Sequence, residues 1–326
     1  MKNSFFDTLS ANEKQQIKQR ITTLVVLLKE WTEQYPSIHK GRIPASAMTS
    51  AVILQLPITK AFVTAKLILL VFSLDDLADE RTISLETLKQ KIGRWNEIAS
   101  GSSIEQRSNF DELDKMLFEI KEDLSSSSQF EPLRNCWSHQ LCCLVKAMTQ
   151  EYQYGMEYSE SGAACLPLLK DYLACGIHSI GCPILMVTVC ILLDDPSITN
   201  RIEPILRAVE SGSASVRFFN DFRSFERETQ ENNVNSVLIM YYELLKKAQS
   251  QVDADRLLEA KQHILQLADD YKEECEKRVQ QIQTDSGQIE EIILRLATFA
   301  SHLYGNEKSN YDYHTISVAD IAQWLC

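Results

Sequence analysis

The sequence predicts an all-α, single-domain bundle of about a dozen helices, and three observations predict it. Apolar residues recur at intervals of three and four almost throughout, while strand-like alternation is nowhere sustained. Glycine numbers only 10 and proline only 8 in 326 residues, where average usage near 7% would bring about 23 glycines. A β-rich or loop-rich fold is thereby excluded. No long linker and no repeat of fixed period divides the chain, so residues 1–326 read as one domain.

The first helix, 9–34, carries Ile17, Ile21, Leu24, Val25 and Leu28 on one stripe and stops at Tyr35-Pro36. Helices over 45–55 and 58–79 follow, the second apolar on nearly every face from Leu67 to Leu74 and so expected in the core. Helices over 84–100, 109–124 and 130–157 are separated by serine-rich connections at Ser100 to Ser103 and Ser125 to Ser128. The stretch 166–193 reads as one helix with a fault. Missing side chains at Gly176 and Gly181, and the missing amide at Pro183, should break or kink it. Such a break frees backbone dipoles that can point into a cavity. Helices over 200–229, 233–249, 252–283, 286–304 and 315–325 complete the pattern, the last two joined by the tyrosine-rich segment Gly305 to His314.

Composition narrows the partners. A net charge of −12 repels nucleic acid and anionic lipid over most of the surface, so no nucleic-acid partner is expected and a phosphate-bearing ligand needs a local exception. The longest apolar run, Leu67 to Phe72, adjoins Lys66 and falls short of the roughly 18 to 20 residues that span a bilayer. No stable membrane insertion is expected. Residues Met1 to Arg20 lack the apolar core of a secretory signal, which points to the cytoplasm. Nine cysteines, with no CxxC spacing and mostly apolar neighbours, read as reduced core residues.

The apolar helix over 58–79 runs directly into Asp75-Asp76-Leu77-Ala78-Asp79-Glu80. Carboxylates buried without partners are costly. Asp75 and Asp79 share a face, with Asp76 about 100° round the helix. Carboxylates converging at the mouth of an apolar cavity suit a hard cation such as Mg2+, which takes one or two of them and completes its shell with water and phosphate oxygens. Two other acidic clusters serve as controls. Asp194-Asp195 precedes Pro196 and reads as a helix end, and Asp269, Asp270 and Glu273 lie on a helix charged almost throughout and read as a solvated face.

A second polar stripe lies on the helix after Arg201. Asn220, Ser224 and Glu228 follow at four-residue intervals, a slanted line of three oxygens along about 12 Å of helix. Phe218, Phe219, Phe222 and Phe225 surround it, so its neighbours are large rings rather than further charges. One amide, one hydroxyl and one carboxylate make an oxygen site of low net charge. Arg217 and Arg227 lie on the same side and are placed to receive phosphate oxygens.

Together these motifs resemble those of class I terpene synthases: a DDxxD motif at Asp75 to Asp79, and an NSE motif at Asn220, Asp221, Ser224 and Glu228. Their separation of 145 residues is similar to that in the family's catalytic α-domain, and the resemblance covers essentially the whole chain. It implies a helical bundle around a central apolar cavity, three Mg2+ ions with Mn2+ as an alternative, and a small-molecule isoprenoid diphosphate as substrate. It also implies ionisation of the allylic C–O bond, cyclisation of the carbocation and release of pyrophosphate. A homodimer is left open.

Carried over position by position, Asp75 and Asp79 look like metal-bridging carboxylates, with Asp76 orienting or hydrogen-bonding. Asn220, Ser224 and Glu228 look like the ligands of the third ion. Arg227 matches a diphosphate-contacting position, and Phe72 and Gly181 are expected at the cavity wall, where the Phe72 ring can stabilise a cation. Two departures matter. The broken helix lacks the arginine that senses diphosphate in bacterial sesquiterpene synthases, and the C-terminal Arg-Tyr pair is missing. Arg217, Arg227, Lys308, Tyr313 and His178 are the candidate replacements, and Gly305 to His314 is expected to act as a lid. The Gly176 to Gly181 pattern is more similar to microbial single-domain diterpene synthases, which favours a C20 substrate, geranylgeranyl diphosphate, over the C15 farnesyl diphosphate or a bicyclic C20 diphosphate. The remoter readings are a chain-elongating prenyl diphosphate synthase, whose second DDxxD motif is missing here, and a non-enzymatic acidic helical interaction protein.

Overall fold

The computed structural model describes residues 5–101, 109–248, 254–305 and 317. Among them the chain forms twelve α-helices and no strand, in one bundle. The first six are α1 (Ala11–Trp31), α2 (Ile43–Ala51), α3 (Ile58–Asp79), α4 (Leu85–Ser100), α5 (Glu112–Ser125) and α6 (Phe130–Ser161). After them come α7 (Leu169–Ser179), α8 (Cys182–Leu193), α9 (Ser197–Gln230), α10 (Ser236–Ala248), α11 (Ala254–Val279) and α12 (Gln288–Gly305). The helix expected over 315–325 lies outside the described residues.

Local chemistry sets the ends. Ser10 and Glu13 form a capping box at the start of α1, and Asp111 and Asp114 form one at the start of α5. Asp194 ends α8 in the left-handed region, its carboxylate taken up by Lys60, Ser127 and Ser128. Asp270 and Glu273 of α11 are exposed. Both control clusters are thus at a helix end or on a wet face.

The central elements are α3 and α9. α3 buries residues on every face from Ala61 to Leu74, because α1, α2, α5, α6 and α8 surround it. α9 packs against α7, α8, α10, α11 and α12. The expected fault in 166–193 is one sharp break. Gly181 adopts φ +78°, and a Cβ there would stand 3.0 Å from Val71 Cγ1, so both the backbone and the approach to α3 require glycine. Pro183 then opens α8, where its missing amide is tolerated. Gly176, expected to share in the break, instead lies inside α7. The uninterrupted stretch Leu169–Leu193 is apolar enough by composition to cross a membrane, more so than the run in α3; here it is bent at Gly181, and 72% of its most apolar window is buried within the bundle.

Candidate active site

The acidic ends of α3 and α9 open on one cavity of about 340 Å3. Asp75 and Asp79 line it from α3, and Asn220, Ser224 and Glu228 line it from α9. Beneath lies an apolar chamber of about 130 Å3, walled by α3, α8, α9 and α12. The two spaces share Val71, Phe72, Ile180, Leu303 and Tyr304, so the polar mouth passes directly into the chamber. Gly181 and Cys182 line the chamber at the helix break.

The first acidic motif divides its work between two directions. Asp75 and Asp79 face the cavity, whereas Asp76 turns to Arg42, whose Nε lies 3.0 Å from both carboxylate oxygens. Arg42 is buried, and its guanidinium stands 5.2 Å from the centre of the Phe72 ring. Burial pushes Asp75 above the ordinary carboxylate range, partly offset by Arg42. Asp79 is pushed well above it by burial and by the neighbouring Asp75.

On α9, Ser224 Oγ donates to the Asn220 carbonyl at 2.8 Å. Glu228 is pushed up to about 7 by burial and by Asp221, against the opposing pull of Arg217 and Asn235. Asn235 Nδ2 donates to Glu228 Oε2 at 2.6 Å and to the Asp221 carbonyl at 2.8 Å. The Asp221 carboxylate accepts the Ser236 amide at 3.0 Å, and Asn235 Oδ1 accepts the Val237 amide at 2.8 Å. The turn into α10 therefore holds the far end of the NSE stripe.

The cations are unevenly engaged. Arg217 lines the cavity, yet it is enclosed by partners: Glu151 at 3.2 Å, the Tyr172 hydroxyl at 3.1 Å, and Asp221 in a 2.9 Å ion pair that lies off the hydrogen-bond direction. Arg227 pairs with Glu231 at 2.9 Å and keeps a third of its side-chain surface exposed beside the cavity. Arg81 and Arg223 also line the mouth. His178 is not among the residues of the cavity wall; burial lowers its basicity, and its Nδ1 is buried without a partner. Lys308 and Tyr313 lie outside the described residues, as does the expected lid apart from Gly305, the last residue of α12.

A family model described as the terpene synthase family, metal-binding domain, matches residues 30–283. The chain belongs to the terpene synthase family. Abietadiene synthase from Abies grandis superposes with a TM-score of 0.67 at 14% identity, over 95% of this chain and 40% of that one. The 2-methylisoborneol synthase from Streptomyces coelicolor A3(2), solved with Mg2+ and geranyl-S-thiolodiphosphate, gives 0.69 at 12% identity over 89% of this chain and 92% of that one. Isoprene synthase from grey poplar leaves gives 0.67 at 11% identity, over 97% and 57%. This chain thus spans 40% of the length of abietadiene synthase and 57% of isoprene synthase. No curated protein matches it in sequence. At these identities the solved structures share the fold, and the likeness extends across plant and Streptomyces enzymes rather than to a diterpene branch.

Three residues of this terpene synthase domain carry no motif signal, two that line the cavity (Arg42 and Glu151) and one buried behind it that holds Glu228 (Asn235). Arg42 sits in a short connection before α2, Glu151 lies in a polar run on α6, and Asn235 lies in a turn. For Glu151 a signal was available: Met148, Glu151, Tyr152 and Gly155 recur at helical spacing and together face the cavity.

The family description states metal binding without naming the ion. Among the described residues no three His, Cys, Asp or Glu side chains stand close enough to hold an ion alone. Asp75, Asp79 and Glu228 are nevertheless carboxylates that burial holds above their usual range, a surplus of desolvated negative charge. Asn220 and Ser224 add neutral oxygens. Such a set fits Mg2+, which needs one or two protein carboxylates and takes its remaining oxygens from water and phosphate.

Proposed function

We propose that this protein ionises an allylic isoprenoid diphosphate, cyclises the carbocation and releases pyrophosphate, in a Mg2+-dependent reaction. One observation carries the reading: both oxygen-rich motifs line a single cavity that continues into an apolar chamber. In this reading Asp75 and Asp79 on one wall, and Asn220, Ser224 and Glu228 on the other, hold the metal. The bound ions supply Lewis-acid pull on the diphosphate oxygens.

The protein's own groups do the rest. Arg227 and its neighbours at the mouth receive phosphate oxygens. Arg42 holds Asp76 away from the cavity, which fixes the turn of α3 that aims Asp75 and Asp79 inward. Phe72 presents its ring at the junction of mouth and chamber, where a cation gains from the π face. The apolar walls below exclude water from the chain that folds there. The break at Gly181 brings backbone dipoles to the same chamber.

The C20 substrate, geranylgeranyl diphosphate, is proposed on the spacing of Gly176 and Gly181, with C15 farnesyl diphosphate or a bicyclic C20 diphosphate as alternatives. The test is incubation with C10, C15, C20 and bicyclic C20 diphosphates, with Mg2+ or with chelator, followed by pyrophosphate assay and mass spectrometry. Metal-dependent pyrophosphate release with a cyclic product is expected. No release from any of them in excess Mg2+ removes the reading.

A further inference from the structure

The cavity wall holds two carboxylates that neither acidic motif accounts for, Glu151 and Glu226, and Glu226 is taken up in an ion pair with Lys261. Glu151 stands on the strip of α6 that faces the cavity. Its Oε1 accepts a hydrogen bond from Ser179 Oγ at 2.8 Å and pairs with Arg217 Nη1 at 3.2 Å, while Oε2 receives the same Nη1 at 3.4 Å. The side chain keeps 20% of its surface exposed, and as a lining residue it exposes that surface to the cavity. Ser179 ends α7 directly before Ile180 and Gly181, and Ile180 belongs to the walls of both cavity and chamber. Glu151 is thereby tied to the level at which the polar mouth gives way to the apolar chamber.

Resting on the reading above, we infer that the Glu151 carboxylate is the base that ends the reaction, removing a proton from the carbon beside the final cationic centre. The C–H bond breaks, its electron pair becomes the π bond to the cationic carbon, and the proton goes to Oε2. A neutral olefin and a neutral carboxylic acid result. The acid returns its proton to water or to the departing pyrophosphate when the product leaves.

Three features support the assignment. A mobile carboxylate would trap a carbocation as an ester, but Ser179 and Arg217 hold this one on the wall by its oxygens. Among the described residues the chamber itself holds no carboxylate or imidazole, and its Cys182 thiol is pushed up to about 12 by burial, so a carboxylate base has to act from the mouth. Of the carboxylates there, Asp75, Asp79 and Glu228 belong to the two motifs and Glu226 pairs with Lys261, which leaves Glu151. Burial also raises the proton affinity of Glu151 itself, against the pull of Arg217.

The quantity to measure is olefin formed per pyrophosphate released, with C15 and C20 allylic diphosphates and Mg2+, in the full chain and in Glu151→Gln, Glu151→Asp and Ser179→Ala. Glu151→Gln keeps the size and the acceptor for Ser179 but cannot take the proton. Its yield of the principal olefin per pyrophosphate should fall roughly tenfold or more, with water-captured alcohols or isomeric olefins in its place. Ser179→Ala should alter the ratio of olefin isomers. An unchanged product profile per pyrophosphate in Glu151→Gln overturns the inference even if turnover slows, because slower turnover to the same products is what lost support of Arg217 alone would give. Should Glu151→Gln fail to fold, Glu151→Asp decides in the same way: altered isomer ratios support the base, and an identical profile overturns it. Failure of the unaltered protein to release pyrophosphate from any allylic diphosphate sinks the reading and the inference together, an outcome distinct from release with unaltered products.

Discussion

Gly176 of α7 leaves the space through which the Arg217 side chain passes from α9: a Cβ at Gly176 would stand 2.9 Å from Arg217 Cγ. The arginine beyond that gap joins Tyr172, Glu151 and Asp221, so α6, α7 and α9 meet at one guanidinium. The glycine that looks like a helix fault in sequence is therefore a packing requirement.

Gly176→Ala should destabilise the fold by about 1–3 kcal/mol, the usual cost of forcing a group into a filled space, despite the better helix propensity of alanine. Urea unfolding measures it. Arg217→Met is itself costly because it leaves Glu151 and Asp221 without their cation, so the test is a double-mutant cycle. Gly176→Ala should cost less in the Arg217→Met background than alone, and an equal cost in both backgrounds would mean that Arg217 is not what Gly176 accommodates.

Asp75→Ala and Asn220→Ala should each abolish pyrophosphate release while the circular dichroism of the helices is retained, because each removes an oxygen from the cavity wall and leaves the core untouched. Glu273→Ala, on the exposed face of α11, should change neither. Full activity in Asp75→Ala would assign the chemistry to another cluster.

Without metal, stability should depend on pH in the direction opposite to ordinary acid denaturation. Burial first, and neighbouring acids second, raise Asp75, Asp79 and Glu228 in the folded protein, Glu228 from an ordinary 4.5 to about 7. Groups raised on folding bind more protons folded than unfolded; their contribution is fully present below the unfolded value and is lost as pH rises through the folded one. The melting temperature in chelator should therefore fall between about pH 5 and about pH 8, and Mg2+ should raise it far more at about pH 8 than at about pH 5. Differential scanning fluorimetry at the two pH values checks this, and an equal effect of Mg2+ at both would contradict it.

The helices were legible because their periodicity and breakers are local: the apolar α3, its acidic end and the break at Gly181-Cys182-Pro183 are all visible in a few residues. Their ends were less so. α6 runs on to Ser161, where Gly162 at φ +64° ends it, and α9 starts at Ser197 directly after Pro196. Both breakers are visible in the sequence but lie a few residues beyond the last strongly apolar positions from which the ends are read. The motif residues could be found because carboxylates beside apolar runs violate the expected pattern. Arg42, Glu151 and Asn235 violate nothing locally. Arg42 meets Asp76 across 34 positions, and Glu151 meets Arg217 across 66. Only the tertiary fold turns such polar residues from apparent surface into site.

Asn235 combines two roles that substitution can separate. It is fully buried, its Oδ1 accepts the Val237 amide at the start of α10, and its Nδ2 holds Glu228 Oε2 at 2.6 Å. Asn235→Ala removes both and should cost about 1–3 kcal/mol, the sum expected from a lost helix cap and a lost bond to a buried carboxylate. Asn235→Ser restores an oxygen that can cap α10 but is too short to reach as Asn does, so stability should return in part while Glu228 stays unanchored. If Glu228 needs that anchor to serve the cation, both variants should require several-fold more Mg2+ for half-maximal pyrophosphate release. Urea unfolding and a Mg2+ titration read the two roles independently; a normal Mg2+ requirement in both variants would confine Asn235 to capping α10.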